Sequence, residues 1–307
     1  GPEGTFSQAA LLQLIAAGLV PEHDPDALRA LPTDSTPAAL DSVRDGTADY
    51  ACVPIENSID GSVTPTLDNL ASGSPLQVFA ETILDVAFSI AVKPGRTAAE
   101  VRTLAAFPVA AAQVRRWLAA HLPGVELRPA NSNAEAARQV ADDRVDAAVS
   151  SPLAAERCGL AALAEGIVDE PNARTRFLLV GQPGPPPART GADRTSVVLG
   201  LDNVPGALVS ALTEFGIRDI DLTRIESRPT RIVLGTYLFF VDCVGHIDDD
   251  AVAEALRALH RRCADVRYLG SWPTGAPAGV EPPQLTEASR WLARLRQGKP
   301  TGEGFGR

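Results

Sequence analysis

Residues 54–63 read Pro-Ile-Glu-Asn-Ser-Ile-Asp-Gly-Ser-Val, and they follow a short apolar run at residues 51–53 that is typical of a buried strand. Pro54 predicts the end of that strand, because proline cannot donate to a sheet ladder. Asn57 and Ser58 can cap the turn that follows. Open α/β sheets bind their ligands at the carboxyl ends of strands, so the stretch indicates either a binding loop or only a capped connection.

The rest of the first 181 residues alternates short apolar strands with Ala-rich amphipathic helices, a pattern typical of parallel βαβ units. It predicts helices at residues 9–19, 37–45, 109–121 and 134–142, and strands at residues 51–53, 77–92, 103–106, 147–149 and 177–180. The long run at residues 77–92 suits a crossing between two lobes. We therefore expect an α/β domain over residues 1–181.

A proline-rich segment divides the chain. Residues 182–192 read Gln-Pro-Gly-Pro-Pro-Pro-Ala-Arg-Thr-Gly-Ala, which predicts a semi-rigid spacer over residues 182–193. Strands are predicted after it at residues 196–201, 220–227, 236–244 and 266–271, with helices at residues 206–215 and 251–263. This order is that of a ferredoxin-like βαββαβ domain over residues 194–272. Residues 273–307 are predicted to form a loosely attached tail with one amphipathic helix near residues 287–296.

The charge balance bears on partners. The 307 residues include 28 Lys and Arg against 38 Asp and Glu, a net charge of −10. We therefore expect neither nucleic acid nor an anionic membrane surface as a partner. No apolar run approaches the roughly 20 residues that span a bilayer, so no membrane partner is expected. An anionic substrate must be held by local groups against this net charge.

The cysteines and histidines show no metal-ligand spacing. Cys52, Cys158, Cys243 and Cys263 stand in apolar surroundings, and the four histidines form no H-x-x-x-H pair. This favours reduced thiols in a cytoplasmic protein over zinc or disulfides, and we expect no metal. The chain begins at Gly1 and contains no Met, so we expect that an amino-terminal segment has been trimmed.

Hydroxyl side chains precede several predicted helices. Thr5, Ser132 and Ser151 stand where helix caps are expected, and capping alone accounts for each of them. Together they can direct several helix amino-termini into one cleft. Free N–H groups at such ends bind carboxylates without net positive charge, which would suit a small dicarboxylate.

The last predicted strand of the first domain begins with a possible anion site. Residues 172–177 read Asn-Ala-Arg-Thr-Arg-Phe. In a regular strand Thr175 and Phe177 share one face, and Arg176 points to the other. Arg176 is therefore either an anion ligand, if the strand entry is irregular, or the partner of a salt bridge to a neighbouring element.

These motifs carry a resemblance to a known family. The opening Gly1-Pro2-Glu3-Gly4-Thr5-Phe6-Ser7, the stretch at residues 54–63 and Thr175-Arg176-Phe177 resemble, in this order, the marks of prephenate dehydratase. Leu-Thr-Arg-Ile-Glu-Ser-Arg-Pro at residues 222–229 resembles the phenylalanine-binding part of its regulatory ACT domain. The resemblance implies a bilobal catalytic domain like a periplasmic binding protein, followed by the ferredoxin-like ACT domain. It implies that prephenate is converted to phenylpyruvate, water and carbon dioxide with no metal or redox cofactor.

The resemblance also assigns site residues. It implies that Thr175 donates or orients the proton for the leaving hydroxyl, and that Asn57 and Gln113 bind the substrate as neutral amides. Glu56 is either an acid, if burial raises its pKa, or a brace between the lobes. Further substrate-binding residues implied by the family are Thr5, Ser58, Arg176 and Phe177. The family's usual hydroxyl and His are replaced by Ala106 and Phe107, so either that hydroxyl is dispensable or Ser89 or Ser132 compensates.

For the second domain the resemblance implies an L-phenylalanine effector site. It would consist of Gly206, Ala207, Leu208 and Val209 at a helix start, and Glu226, Ser227, Arg228 and Pro229 at a strand end. ACT domains pair, and residues 237–241 are too apolar for a solvated sheet face. We therefore expect a homodimer or homotetramer in which these segments line an interfacial pocket.

Two other functions fit the same motifs. One is arogenate dehydratase, which acts on the aminated analogue of prephenate. The other is a non-catalytic amino-acid sensor built from the same folds. The presence of Thr175, Asn57 and Gln113 together argues against the sensor, because ligand capture alone does not require that set.

Overall fold

A computed structural model describes residues 3–21, 28–283 and 286–298. The chain forms two compact units, Gly1–Gln182 and Pro183–Arg307. None of the described helices is long and apolar enough to cross a membrane.

The first unit has two lobes, and its first lobe contains a four-stranded sheet. Its elements are α1 (Phe6–Ala16), α2 (Thr36–Arg44), β1 (Tyr50–Asn57), β2 (Gly61–Ser62), α3 (Thr64–Ala71), β3 (Gln77–Asp85) and the returning β9 (Arg174–Gly181). The strand order is β2-β1-β9-β3, and all three ladders are antiparallel. Leu14, Leu40 and Leu179 are fully buried in this lobe.

The second lobe contains a five-stranded sheet between helices. Its elements are β4 (Phe88–Val92), β5 (Thr103–Ala106), α4 (Pro108–Gln113), α5 (Arg115–His121), β6 (Glu126–Pro129), α6 (Asn133–Ala141), β7 (Ala147–Ser150), α7 (Pro152–Arg157) and β8 (Ala161–Ile167). The strand order is β6-β5-β7-β4-β8. Parallel pairing joins β5 to β6 and β7, whereas β4 is antiparallel to both neighbours. The parallel βαβ pattern expected for the whole domain is therefore found only here.

The chain crosses between the lobes twice, first between β3 and β4 and again between β8 and β9. The two crossings are hydrogen-bonded to each other, since Val86 N donates to Ala173 O at 2.7 Å. The run at residues 77–92 is thus two strands in two sheets, as expected of a crossing. The bilobal, periplasmic-binding-protein-like fold is confirmed.

Two local predictions were wrong. Pro54 does not end β1, which continues to Asn57 because the ladder shifts register between Pro54 and Glu56. Such a bulge tolerates the missing N–H of proline. The helix predicted over residues 109–121 is broken at Val114, whose φ of −123° and ψ of 13° are not helical.

The second unit has the expected βαββαβ order. Its elements are β10 (Asp193–Gly200), α8 (Ala207–Gly216), β11 (Leu222–Pro229), β12 (Tyr237–Val244), α9 (Asp250–Arg262) and β13 (Asp265–Pro273). The strand order β11-β12-β10-β13 is antiparallel throughout. One core joins both helices to the sheet, with Phe215, Val241 and Leu259 at its centre. This is the ferredoxin-like fold.

The segment after β13 is attached more firmly than expected. Thr274 Oγ1 donates to Ala192 O at 2.8 Å, Val280 N donates to Asp221 Oδ2 at 3.1 Å, and Pro282 is buried. A final helix, α10 (Thr286–Arg296), donates from Ser289 Oγ to Asp250 Oδ2 at 2.5 Å. Residues 274–283 therefore form part of the second unit, since their polar backbone groups find partners there.

Candidate active site

A cleft of about 610 Å³ lies between the two lobes of the first unit. Five residues predicted for the site line it, namely Thr5, Asn57, Gln113, Thr175 and Phe177. Glu56, Ser58 and Arg176, also predicted for the site, are not among its lining residues. The volume lies within the range of small-molecule sites.

Thr175 and Asn57 form one unit within the cleft. They are directly opposite on β9 and β1, and Asn57 Nδ2 donates to Thr175 Oγ1 at 2.8 Å. Asn57 Oδ1 accepts from the backbone N–H groups of Ile59 at 2.8 Å and Asp60 at 3.0 Å. These two bonds fix the amide orientation, so the threonine oxygen must be the acceptor from Asn57. The hydroxyl proton of Thr175 is therefore left for a group in the cleft.

Gln113 reaches the cleft from the opposite lobe. Its Nε2 donates to Asp60 Oδ2 at 2.7 Å, which connects the end of α4 to the β1–β2 turn. Its Oε1 is buried and has no hydrogen-bond partner among the described residues. Sequence reasoning missed Asp60, because an acidic residue in a polar turn carries no signal of a partner 53 positions away.

Helix amino-termini from both lobes line the cleft, although Ser151, one of the three predicted caps, is not a lining residue. The residues that start α1, α2, α3, α4 and α6 all contribute, including Thr5, Ser35, Thr64, Phe107 and Asn133. The first turn of a helix leaves N–H groups without intrahelical partners and carries partial positive charge. No Lys, Arg or His is found among the described lining residues, whereas Asp34 and Asp60 are. Carboxylates in this cleft must therefore be bound by backbone N–H groups and neutral side chains.

Aromatic side chains give the cleft an apolar wall. Phe6 and Phe88 meet edge to face with their ring centroids 5.7 Å apart. Phe107 and Phe177 also line the cleft. A wall of this kind suits a six-membered carbon ring with polar groups at its ends.

Arg176 is placed on the other face of β9, as strand alternation requires. It is 7% exposed, and its guanidinium donates to Glu56 Oε2 at 3.0 Å and to Glu81 Oε2 at 3.3 Å. These two carboxylates lie on β1 and β3, the neighbours of β9. The geometry contradicts the substrate-binding prediction for Arg176, because the guanidinium is occupied away from the cleft. It also corrects the prediction for Glu56, which braces strands within one lobe rather than two lobes.

Ser58 joins the β1–β2 turn to the start of β9. Its Oγ accepts from Arg174 N at 2.9 Å, and its backbone N donates to Arg174 O at 2.8 Å. It thus holds the strand end that carries Asn57 against the strand that carries Thr175. The substrate-binding prediction for Ser58 is not supported, because the side chain is engaged outside the cleft.

The two serines considered as replacements for the missing hydroxyl differ in position. Ser132 lines the cleft and caps α6 by accepting from Glu135 N at 3.0 Å. Ser89 is buried in β4 and is not a lining residue. Asn133, next to Ser132, also lines the cleft, and its buried Oδ1 has no partner in the described parts of the chain. Asn133 was not predicted as a site residue, because asparagine is common at helix starts and its presence there does not indicate a ligand.

The cleft contains one thiol and no described metal cluster. Burial raises the pKa of the Cys52 thiol to about 12, which makes it a poor nucleophile at neutral pH. Within the described residues no group of three or more His, Cys, Asp or Glu side chains could hold a metal ion.

In the second unit, the two segments expected to bind phenylalanine lie at the same end of the sheet. Arg228 pairs with Leu238, which pairs in turn with Gly200 at the end of β10, and Gly206 follows shortly as the cap of α8. Gly206 has a φ of 82°, a left-handed conformation that favours glycine. A Cβ built there would meet no atom within 4 Å.

The fold and the cleft define a two-lobed ligand-binding protein followed by a ferredoxin-like domain. A family model described as prephenate dehydratase matches residues 1–185, and an ACT domain model matches residues 195–261. The chain belongs to the prephenate dehydratase family. It is a carbon–oxygen lyase of the prephenate dehydratase type.

Curated relatives support this membership over nearly the whole chain. A prephenate dehydratase of Mycobacterium tuberculosis is 79% identical, with 98% of this chain and 94% of the relative covered. The Mycobacterium leprae prephenate dehydratase is 78% identical over the same shares.

Solved structures agree with the fold. Prephenate dehydratase from Arthrobacter aurescens in complex with L-Phe superposes with a TM-score of 0.85 at 40% identity, covering 97% of this chain and 98% of that one. A structure described as a novel type of quorum quenching acylase has a TM-score of 0.75 at 28% identity, covering 89% and 96%.

Proposed function

We propose that the interlobe cleft is the active site and that Thr175 delivers the proton to the leaving hydroxyl of prephenate. The observation that carries this proposal is the bond from Asn57 Nδ2 to Thr175 Oγ1 at 2.8 Å. It leaves the threonine proton available and stabilises the oxygen as negative charge develops on it. Asn57 is thus the partner that a weakly acidic hydroxyl needs.

The reaction needs little more from the protein than a proton and a fixed geometry. The bond between the ring carbon and its carboxylate breaks, and its electron pair enters the ring. The C–O bond to the ring hydroxyl breaks as the electrons move on, and that oxygen takes the proton and leaves as water. Carbon dioxide and aromatic phenylpyruvate result. Holding the ring and both carboxylates in one geometry supplies much of the rate enhancement.

The two substrate carboxylates are held by helix amino-termini. Prephenate is a dianion, and the lining contributes two carboxylates and no described cation. The first turns of α1 and α3 in one lobe and α6 in the other supply N–H groups without adding charge. Asn133 Nδ2 and the hydroxyls of Thr5 and Ser132 are additional donors in the cleft.

The second unit serves as a sensor for L-phenylalanine in a homodimer or homotetramer. The 40% identical relative was solved in complex with L-Phe, and Gly206–Val209 and Glu226–Pro229 lie at one end of the sheet here. A helix start offers N–H groups to the amino-acid carboxylate, and Glu226 offers an oxygen to its ammonium group. Exposed Ile225, Val209 and Leu234 suit contact with a second copy.

Sedimentation at micromolar concentration should give a mass of two or four chains, and a monomer would contradict this.

An absorbance assay for phenylpyruvate tests the proposed activity. Prephenate should be converted rapidly, whereas arogenate, which yields phenylalanine directly, should react at least about 10-fold more slowly by its own product assay. The cleft offers the acidic Asp34 and Asp60 to an ammonium group, so the comparison is a real test of substrate choice. Faster turnover of arogenate than of prephenate would contradict this choice of substrate.

A further inference from the structure

We propose that Asp60 is a positioning residue that fixes the amide of Gln113 with its oxygen toward the substrate hydroxyl. The proposal rests on the proposed function of the cleft and assigns a role to a residue outside the predicted set. Asp60 lies in the turn between β1 and β2, and Gln113 is the last residue of α4 in the opposite lobe. They meet at 2.7 Å between Oδ2 and Nε2.

The direction of this hydrogen bond determines which atom of the Gln113 amide remains without a protein partner. An ionised carboxylate accepts hydrogen bonds and donates none, so only Nε2 of Gln113 can face Asp60. Oε1 is then the free end, and it is buried with no partner among the described residues. Gln113 is 8% exposed and lines the cleft. Gln113 Oε1, like Asn133 Oδ1, is therefore a buried acceptor in a lining residue of the cleft, and a bound ligand can satisfy it.

The functional groups of prephenate determine which of them can donate a hydrogen bond to Gln113 Oε1. Both carboxylates and the keto group of the dianion are acceptors, and the ring hydroxyl is the single donor. Among the groups of prephenate, only this hydroxyl can donate to Gln113 Oε1. When the hydroxyl donates to Gln113, its lone pairs are free for the proton of Thr175. Asp60 in this way prepares the leaving group from the lobe opposite the proton donor.

The same bond between Gln113 and Asp60 also joins the two lobes. Asp60 N donates to Asn57 Oδ1 at 3.0 Å, and Asn57 in turn donates to Thr175. On the other side, Gln113 O accepts from Asp169 N at 2.7 Å, in the second crossing between the lobes. Asp169 also caps α5 by accepting from Arg116 N at 2.7 Å. A continuous chain of hydrogen bonds therefore runs from Thr175 through Asp60 to the interlobe crossing.

Asp60 and Gln113 also separate two cavities. Both residues line the main cleft, and both line a smaller cavity of about 210 Å³ that is bordered by Arg115, Arg116 and Asp169. The pair thus forms part of the wall between the reacting atoms and this side cavity. Keeping it closed limits the access of water to the leaving group.

Substitutions at Asp60 distinguish two roles of this residue: orienting the Gln113 amide, and only holding the two lobes together. Asp60→Asn keeps the shape and an interlobe hydrogen bond, but its amide can donate as well as accept, so the amide of Gln113 is free to turn over. Asp60→Glu keeps an acceptor-only partner. Loss of one oriented hydrogen bond should lower kcat of Asp60→Asn about 10-fold with KM unchanged or lower, whereas Asp60→Glu stays within about 3-fold of the native kcat. Asp34→Asn removes the same charge from the lining and serves as the charge control.

A double-mutant cycle with Gln113→Ala gives the second readout. If Asp60 acts by orienting Gln113, Asp60→Asn should have no further effect on kcat once the amide is absent. Equal kcat for native, Asp60→Asn and Asp60→Glu enzymes, or additive losses in the cycle, would overturn the proposal. Absence of prephenate turnover in the native enzyme would instead remove the proposed function itself, so the two failures are distinct.

Discussion

At the residue scale, the direction of each hydrogen bond says more about the role of a cleft side chain than its distance from the cleft does. Thr175 and Asn57 were predicted from motifs, but the roles proposed for them rest on the two backbone N–H groups that fix the Asn57 amide. Thr175 and Phe177 face the cleft while Arg176 faces away, as strand alternation predicts. Glu81, which completes the Arg176 cluster, sits in an apolar run where nothing in the sequence indicated a buried ion pair.

Arg176 is expected to support stability rather than substrate binding. Arg176→Lys keeps the charge but cannot serve both Glu56 and Glu81, so the free energy of unfolding should fall by about 1–3 kcal/mol. KM for prephenate should stay within about 2-fold of the native value. Arg174→Lys, which alters the adjacent exposed pair with Asp85, is the matched control and should change stability by less than about 0.5 kcal/mol.

Denaturant unfolding and steady-state kinetics on the same preparations measure both quantities. A 10-fold rise in KM for Arg176→Lys with unchanged unfolding would return this residue to the substrate site.

At the element scale, the amino-termini of helices line the cleft, and local sequence patterns predict most of these termini. Ser132 caps α6 as predicted, whereas Thr5 occupies the N-cap position of α1 without a side-chain cap hydrogen bond, and both residues line the cleft. The break between α4 and α5 at Val114 could not be predicted, because no Gly or Pro marks it and tertiary contacts of Gln113 and Asp169 decide it. Likewise the bulge after Pro54 depends on pairing with β9, which lies more than 100 residues away.

Glu214 connects α8 to α9 in the second unit and should make this unit sensitive to acid. A hydrogen bond from Arg218, at 2.7 Å between Nη1 and Oε2, lowers the pKa of Glu214 below its ordinary value of 4.5, and the charge of Arg262 adds to this. A carboxyl with a depressed folded-state pKa stabilises the fold above its unfolded pKa and loses that contribution as the pH falls.

Glu214→Gln should therefore cost about 1–3 kcal/mol at pH 7, and this difference should shrink below pH 4.5. Melting temperatures of the native and variant proteins at pH 7 and pH 4 check the sign. A difference that grows on acidification would contradict the assignment.

At the scale of the whole molecule, the ferredoxin-like unit was predictable because its element order is local information, whereas the two-lobed fold was implied by the family resemblance. The site was only partly predictable. Residues 274–283 were expected to be loosely attached because of their Pro and Gly content. That composition gives no sign of contacts such as the one between Val280 and Asp221. The position of the Asp60–Gln113 pair follows from the meeting of two lobes, which no local pattern encodes.

Feedback by L-phenylalanine should depend on the start of α8. Gly206→Ala places a methyl group beside the proposed effector carboxylate and should weaken phenylalanine binding at least about 10-fold, while activity without phenylalanine is kept. Gly275→Ala is the matched control, because Gly275 also has a positive φ and open space around its Cβ position. Calorimetry and inhibition curves measure both. Equal inhibition of the two variants would place the effector site elsewhere.

The most direct test of the account is the rate of phenylpyruvate formation from prephenate by Thr175→Val and Thr175→Ser. Valine keeps the shape and the strand preference but removes the proton, so kcat should fall at least about 100-fold with an unchanged melting temperature. Serine keeps the hydroxyl that Asn57 Nδ2 contacts and should retain most of the activity. A native rate in Thr175→Val would contradict the central claim that Thr175 supplies the proton.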